Sequence, residues 1–261
     1  MQNNSEEYVL QLKNLSVSYG LDAVVSDVSL SMKKGEILCI VGESGSGKST
    51  LIKAIHGLEN ATVTAGEVVL FGKDCKTKKE KQALMGTEVG LIPQNPGGSF
   101  NPLRTFEKQF REALKGSKMA YDENRIGNVF ETLGLKDGKS ILKSRPYEMS
   151  GGMNQRIAIA FSYMKKPKLL LCDEATSALD VTTARIVVEE LKTLRKENDT
   201  AILVVTHHLG IARTMADNVA IMKDGKIVEY GRVEEIFSNP KCEYTKKLLC
   251  DVPKLKIDEL E

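Results

Sequence analysis

"GESGSGKST", residues 42–50, follows the apolar run "GEILCIVG" and runs into "LIKAIHGL". It fits G-x-x-x-x-G-K-[ST] in full: Gly42, Glu43, Ser44, Gly45, Ser46, Gly47, Lys48 and Ser49, with Thr50 next. Each residue type has a physical reason. Glycines let backbone N–H groups curl toward an anion without Cβ obstruction. The following helix adds the positive end of its dipole. A lysine at position 48 can reach the β- and γ-phosphates of a nucleotide, and a serine at 49 can bind Mg2+. By composition, a chance match falls in about one chain in a hundred. A buried strand before the loop and a helix after it remove most of that chance.

A P-loop needs a second carboxylate for the metal, at the end of a neighbouring strand. "LLLCDE" supplies it: four apolar residues end in Asp173, which holds Mg2+ directly or through water. Glu174 comes next. At the sheet edge, beside the γ-phosphate, it is placed to polarise the attacking water. A second anion-type turn, "EMSGGMNQR" (148–156), opens another helix. One domain with one nucleotide has no obvious use for two.

Outward from the P-loop, strands and helices alternate, which argues for an α/β fold with a mostly parallel sheet and helices on its faces. "GEILCIVG", "KLLLCDE" and "TAILVVTHH" are continuous apolar runs, the pattern of strands buried on both faces. "YVLQLKNLSVSYG" and "AVVSDVSLSM" read as short alternating strands, and "GEVVLFGKD" as another. "EVGLIPQNP" is a strand ending in a proline-bounded turn. From about Thr105 to Lys165 strand signals vanish and helical segments dominate, which argues for an inserted subdomain. The last of them places Met153, Ile157, Ala160, Phe161 and Met164 on one face. Asp180 is placed to cap the helix after "LLLCDE", and Asp224–Gly225 to turn a hairpin. "VEEIFSN" and "EYTKKLLCDV" read as short closing helices. The lysine-rich "KDCKTKKEKQ" reads as a solvated loop.

Composition narrows the classes further. The chain has 261 residues, 41% hydrophobic and 28% charged, and no apolar run approaches eighteen residues. The start, "MQNNSEEYVL", lacks the basic end and apolar core of a secretory leader, so none is expected. The net charge of +2 offers no strong nucleic-acid footprint, and no nucleic-acid partner is expected. The five cysteines form no CxxC pair, so neither zinc nor an iron–sulfur cluster is expected. Cys39 and Cys172 sit in apolar runs as small hydrophobes.

The ordered set of motifs resembles the nucleotide-binding subunit of ABC transporters. "GESGSGKST" is similar to its Walker A, "LLLCDE" to its Walker B and "MSGGMNQR" to its signature motif. Gln94 in "LIPQNP" matches the Q-loop, Ser177, Ala178, Leu179 and Asp180 the D-loop, and His207 in "VVTHHLG" the switch histidine. Tyr19 in "VSYG" matches the aromatic that stacks on adenine. The matches run from Tyr19 to about Gly231, about four-fifths of the chain.

That resemblance implies a P-loop NTPase fold with a RecA-like core, an antiparallel β subdomain and an inserted α-helical subdomain. The divisions expected are 1–93 with 167–235 for the core and β subdomain, 94–166 for the helical subdomain and 236–261 for a short tail. It implies ATP and Mg2+, with Ser49, Gln94 and Asp173 at the metal. It implies catalytic roles for Glu174, Gln94 and His207, with His207 touching the γ-phosphate. It also implies a head-to-tail dimer with a second ATPase subunit, identical or paralogous. There Ser150, Gly151, Gly152, Met153 and Gln155 close over the ATP in the partner's P-loop. Two transmembrane permeases are implied, with a solute-binding protein acting through them, and a place on the cytoplasmic face of the cell membrane.

"GLIPQNPGGSFNPLRT", "MSGGMNQRIAIA" and "EYTKKLL" resemble the ATPases of oligopeptide, dipeptide and nickel importers. Met153 followed by Gln155-Arg156 is typical of that branch. Two departures stand out: His208 replaces the usual acidic residue after the switch histidine, and "KCEYTKK" departs from His-Pro-Tyr-Thr. The tail carries only Cys242 and Cys250, which tilts the resemblance slightly toward the shorter nickel-type members. An exporter or non-transport ABC ATPase is the alternative. Non-transport members need a coiled-coil insertion or tandem cassettes, and neither is present.

Overall fold

The computed structural model describes residues 8–58, 61–176 and 179–250. In chain order it begins β1 (Tyr8–Tyr19), β2 (Asp22–Lys33), β3 (Ile37–Val41), α1 (Lys48–His56), β4 (Thr62–Leu70), β5 (Lys73–Asp74), α2 (Lys78–Leu84) and β6 (Val89–Ile92). Helices α3 (Phe106–Gly116), α4 (Glu123–Thr132), α5 (Gly138–Lys143) and α6 (Gly151–Met164) follow. The chain then forms β7 (Leu169–Asp173), α7 (Val181–Asn198), β8 (Ala201–Thr206), α8 (Leu209–Met215), β9 (Asn218–Lys223), β10 (Lys226–Arg232), α9 (Val233–Ser238) and α10 (Glu243–Cys250).

Two sheets result. One is antiparallel, in the order β2-β1-β4-β5; the other has the order β10-β9-β3-β8-β7-β6. In the second, β9, β3, β8, β7 and β6 run parallel and only β10 is antiparallel.

The continuous apolar runs are explained by burial on both faces. In β3, Ile37, Cys39 and Val41 enter one core while Leu38 and Ile40 enter the other. In β7, Leu170 and Cys172 face the first core and Leu169 and Leu171 the second. The first core holds α3 to α9. The second holds Leu51, Ile52, Ala54 and Ile55 of α1 with the inner side of the antiparallel sheet. The parallel sheet therefore separates α1 from α6.

The hairpin at Asp224–Gly225 has φ of 46° and 77°, both positive as a two-residue type I′ turn requires. Asp180 caps α7, accepting from the Thr183 N–H at 3.0 Å. The first two strands are twelve residues each rather than short, and β4 begins at Thr62, ahead of the expected Gly66.

A further expectation is corrected. The lysine-rich segment is not a solvated loop: it forms α2, begun by a capping box between Thr77 and Glu80. Lys81 is buried there, and its Nζ donates to the Ala54 carbonyl at 2.7 Å, so one lysine of the run is structural. The helical segment also contains a helix that periodicity does not announce, α5. It is six residues long and capped by Asp137 in the left-handed region.

Helix α6 is more deeply set than a one-face pattern suggests. Ile157, Ala160 and Met164 are buried and Met153 and Phe161 pack on the core as expected, but Asn154, Gln155, Ala158, Ile159 and Ser162 are buried too. Asn154 Nδ2 donates to the carbonyls of Pro146 and Met149, fixing the turn before the helix. Arg156 Nη1 donates to the Leu133 and Gly134 carbonyls at the end of α4.

Candidate active site

Strand β3 delivers the chain into Gly42, where the backbone passes so close to β9 that a Cβ would lie 2.1 Å from the Met222 carbonyl oxygen. Only glycine fits. The loop closes through Ser46 N to Glu43 O at 3.2 Å. At its end Gly47, at φ 100°, caps α1 with no side-chain hydrogen bond. The first N–H groups of α1 therefore lack a side-chain partner and face the loop, the arrangement that attracts an anion.

Lys48 folds across this loop. Its Nζ donates to the carbonyls of Gly42 (2.8 Å) and Glu43 (2.7 Å) and to Ser46 Oγ (3.3 Å). Burial lowers its pKa, against the raising pull of Glu174, Asp173 and Glu43. Ser49 Oγ donates to Asp173 Oδ1 at 2.8 Å, joining the start of α1 to the end of β7. Burial also raises the Asp173 carboxyl above its ordinary value, with the Ser49 hydrogen bond opposing.

Just past the ends of three adjacent strands, β6, β7 and β8, come Gln94, Glu174 and His207. These side chains meet at the carboxyl edge of the sheet, where ligands bind in open α/β folds. Gln94 Nε2 donates to Glu174 Oε2 at 2.9 Å, and His207 Nδ1 lies 3.2 Å from Glu174 Oε1. Glu174 turns out of its strand at φ 50°, anchored by its N–H to the Val205 carbonyl at 2.9 Å. The exposed His207 ring lies against His208, with centroids 4.1 Å apart and the planes tilted by 41°. Burial and His207 lower the pKa of His208, so two neighbouring imidazoles disfavour a shared positive charge.

Tyr19 ends β1, with Lys53 of α1 at 6.0 Å from its ring centre, so it stands beside the P-loop helix. The structure thus gathers the P-loop, Asp173, Glu174, Gln94 and His207 into one surface. It does not bring the second anion-type turn to them. Ser150 caps α6, accepting from Met153 N at 3.2 Å, and α6 packs in the core on the other face of the sheet. Ser150 and Gly151 are exposed, and a Cβ on Gly151 would meet no described residue within 4 Å. Of the D-loop, Ser177 and Ala178 lie outside the described residues, Leu179 packs on the core and Asp180 caps α7.

One residue of the signature turn points away from its neighbours. The Gln155 side chain does not share the exposed surface of Ser150 and Gly151: it is fully buried and donates inward to the Ala175 carbonyl at 2.8 Å.

Two supports of the P-loop escape sequence reading. Gly225 N donates to Ser46 O at 3.1 Å, and its own carbonyl accepts from Ser26 N at 2.9 Å, so the hairpin turn braces the loop. Tyr244 of α10 accepts a long hydrogen bond from Glu43 N, 3.4 Å, with Lys223 Nζ at 4.8 Å from its ring centre. The Asp-Gly pair signals the turn but not what the turn touches.

Residues 25–177 match the family model described as ABC transporter. The oligopeptide transport ATP-binding protein OppD of Lactococcus lactis subsp. cremoris (strain SK11) is 38% identical over 259 residues, covering 95% of this chain and 76% of that protein. The dipeptide transport ATP-binding protein DppD of Bacillus subtilis (strain 168) is 38% identical over 267 residues, covering 98% of this chain and 80% of that protein. The dimeric ATP-binding cassette MJ0796, in a post-hydrolysis state bound to ADP and Pi, superposes with a TM-score of 0.76 at 27% identity. That match covers 86% of this chain and 98% of that one.

Proposed function

The chain belongs to the ABC transporter family, and we propose that it is the ATP-binding and ATP-hydrolysing subunit of an importer of oligopeptides or dipeptides. The cargo class follows the two relatives above, which are named for those peptides. The reaction is phosphoryl transfer to water, so catalysis is positioning and charge stabilisation.

The P-loop N–H groups and Lys48 hold the phosphates, and Tyr19 takes the adenine face. Glu174 accepts a hydrogen bond from the attacking water and polarises it, while His207 and Gln94 hold its two oxygens in place. The Ser49 hydroxyl and the Asp173 carboxylate, 2.8 Å apart, form an all-oxygen donor set that suits Mg2+. Ser49, Asp173 and Gln94 would hold the ion, which neutralises charge on the β- and γ-phosphates when bound.

One observation carries the two-subunit reading: α1 and α6 belong to different cores on opposite faces of one sheet. Within a single chain the exposed Ser150 end of α6 and the P-loop helix α1 lie on opposite faces of that sheet, which supports their meeting one phosphate from two subunits. Among the described residues Gly151 has no neighbour that requires a glycine, which fits a surface reserved for a ligand from outside. In a head-to-tail pair with an identical or sister subunit, the Ser150 end of α6 meets the partner's γ-phosphate.

No described helix is long and apolar enough to cross a membrane. The subunit acts on the cytoplasmic face of the membrane by docking to separate permeases. Leu103, 80% exposed, and Tyr147, 65% exposed, suit the apolar part of that contact. The test of the pairing is Ser150→Arg. It leaves ATP binding by the isolated subunit intact and abolishes turnover; surviving turnover would overturn the pairing.

A further inference from the structure

Gln155 sits on the first turns of α6 with no solvent exposure. Its Nε2 donates to the Ala175 carbonyl at 2.8 Å, while its Oε1 has no hydrogen-bond partner among the described residues. A buried acceptor left unpaired is costly. For stability alone, an apolar side chain of similar length would serve better at this position. The amide therefore serves the one bond that it makes.

That bond lands on a specific place. Ala175 is buried and directly follows Glu174, whose backbone has left the strand at φ 50° and is pinned to Val205 on its other side. Helix α6 starts at the exposed Ser150–Gly151 and is rigidly held by Asn154 and Arg156, which flank Gln155. One side chain thus joins the signature end of α6 to the backbone that aims the Glu174 carboxylate.

We propose that Gln155 is a positioning residue: it transmits the seating of α6 on the partner's ATP to the placement of Glu174 in its own chain. Each active site then senses the occupancy of the other. The inference rests on the two-subunit reading above. A shift of α6 toward a bound phosphate moves the Gln155 amide, and the Ala175 carbonyl follows. The two oxygens of Glu174 redistribute between Gln94, His207 and water. Misplacement of a catalytic group by about 1 Å costs up to about a hundredfold in rate, so a single hydrogen bond suffices as the link.

The test compares Gln155→Met, of similar length with no donor, and Gln155→Glu in the full chain. A carboxyl in this buried site with no cationic partner stays protonated well above its ordinary range and so remains a donor. Gln155→Met is expected to bind a fluorescent ATP analogue within about twofold of wild type and to melt no lower. Its kcat is expected to fall roughly tenfold or more, with the Hill coefficient for ATP dropping toward 1. Gln155→Glu is expected to keep both kcat and cooperativity at low pH and to lose them as pH rises through its carboxyl pKa. Wild-type kcat and Hill coefficient in Gln155→Met would overturn the inference. So would a Gln155→Met protein that loses ATP binding and melting temperature together with turnover, since that marks a purely structural role. Ser150→Arg separates the layers: if it keeps turnover, the pairing fails. If it abolishes turnover while Gln155→Met is unaffected, only the present inference fails.

Discussion

Gln94 and Glu174, eighty residues apart, meet through an Nε2–Oε2 hydrogen bond of 2.9 Å. Gln94 lies where the chain leaves β6 for the helices α3 to α6, and Glu174 where it returns through β7. The two ends of the helical excursion are therefore tied to each other at the carboxylate that would handle the attacking water. Under the proposed function, a movement of the helices relative to the sheet would pull on this carboxylate through Gln94, gearing transport to hydrolysis.

The P-loop lysine makes the first prediction. Lys48 spends its ammonium protons on the loop's own oxygens, and a triphosphate offers charge in their place. Charge-assisted hydrogen bonds contribute roughly 1.5–3 kcal/mol. Lys48→Ala should weaken ATP binding by roughly ten- to a hundredfold, as read by fluorescence titration. An unchanged titration would rule out the P-loop assignment.

Asp173 should show a trade between stability and activity. Burial raises its folded pKa above the unfolded value of 3.8, so the folded protein binds a proton more readily than the unfolded chain. Stability is then highest when the carboxyl is protonated and declines as pH rises through the folded pKa. Asp173→Asn removes the buried charge and still accepts from Ser49. At neutral pH the nucleotide-free variant should melt higher than wild type, by roughly 2–4 °C per kcal/mol relieved. The gain should shrink toward pH 3.8, and ATP turnover should be lost. A lower melting temperature at neutral pH contradicts this electrostatic picture.

His56 predicts acid sensitivity of the opposite sign. At the end of α1 a protonated imidazole would suit the helix dipole, but burial, helped by Lys165, lowers its pKa from 6.5 to about 4. The unfolded chain therefore takes up a proton first as pH falls. Stability from the neutral, half-buried ring is full above pH 6.5 and is lost between pH 6.5 and about 4. The loss is at most about 3 kcal/mol. Urea midpoints should fall less over this window in His56→Gln than in wild type. Parallel curves would show that His56 carries no such linkage.

Legibility in the sequence tracks how local each device is. The P-loop, the Asp180 cap and the Asp224–Gly225 turn are set by neighbours in sequence, and local chemistry suffices to find them. The buried strands were legible because both faces need apolar residues. What escaped depends on distant partners. Lys81 reads as solvated until Ala54 of α1 is seen to accept from it. Gln155 reads as part of a surface motif until α6 is seen sunk into the core with Ala175 beneath it. Tyr244 reaches Glu43 across about 200 residues, a link that no spacing announces.

Glu174→Gln tests the central claim most directly. The amide keeps the shape of the carboxylate but cannot polarise water as a base, while the P-loop, Asp173 and the Ser150 end of α6 stay intact. Size-exclusion chromatography of this variant with ATP and Mg2+ should give a species of twice the subunit mass that retains unhydrolysed ATP. A monomer under the same conditions, or hydrolysis at the wild-type rate, would contradict the account.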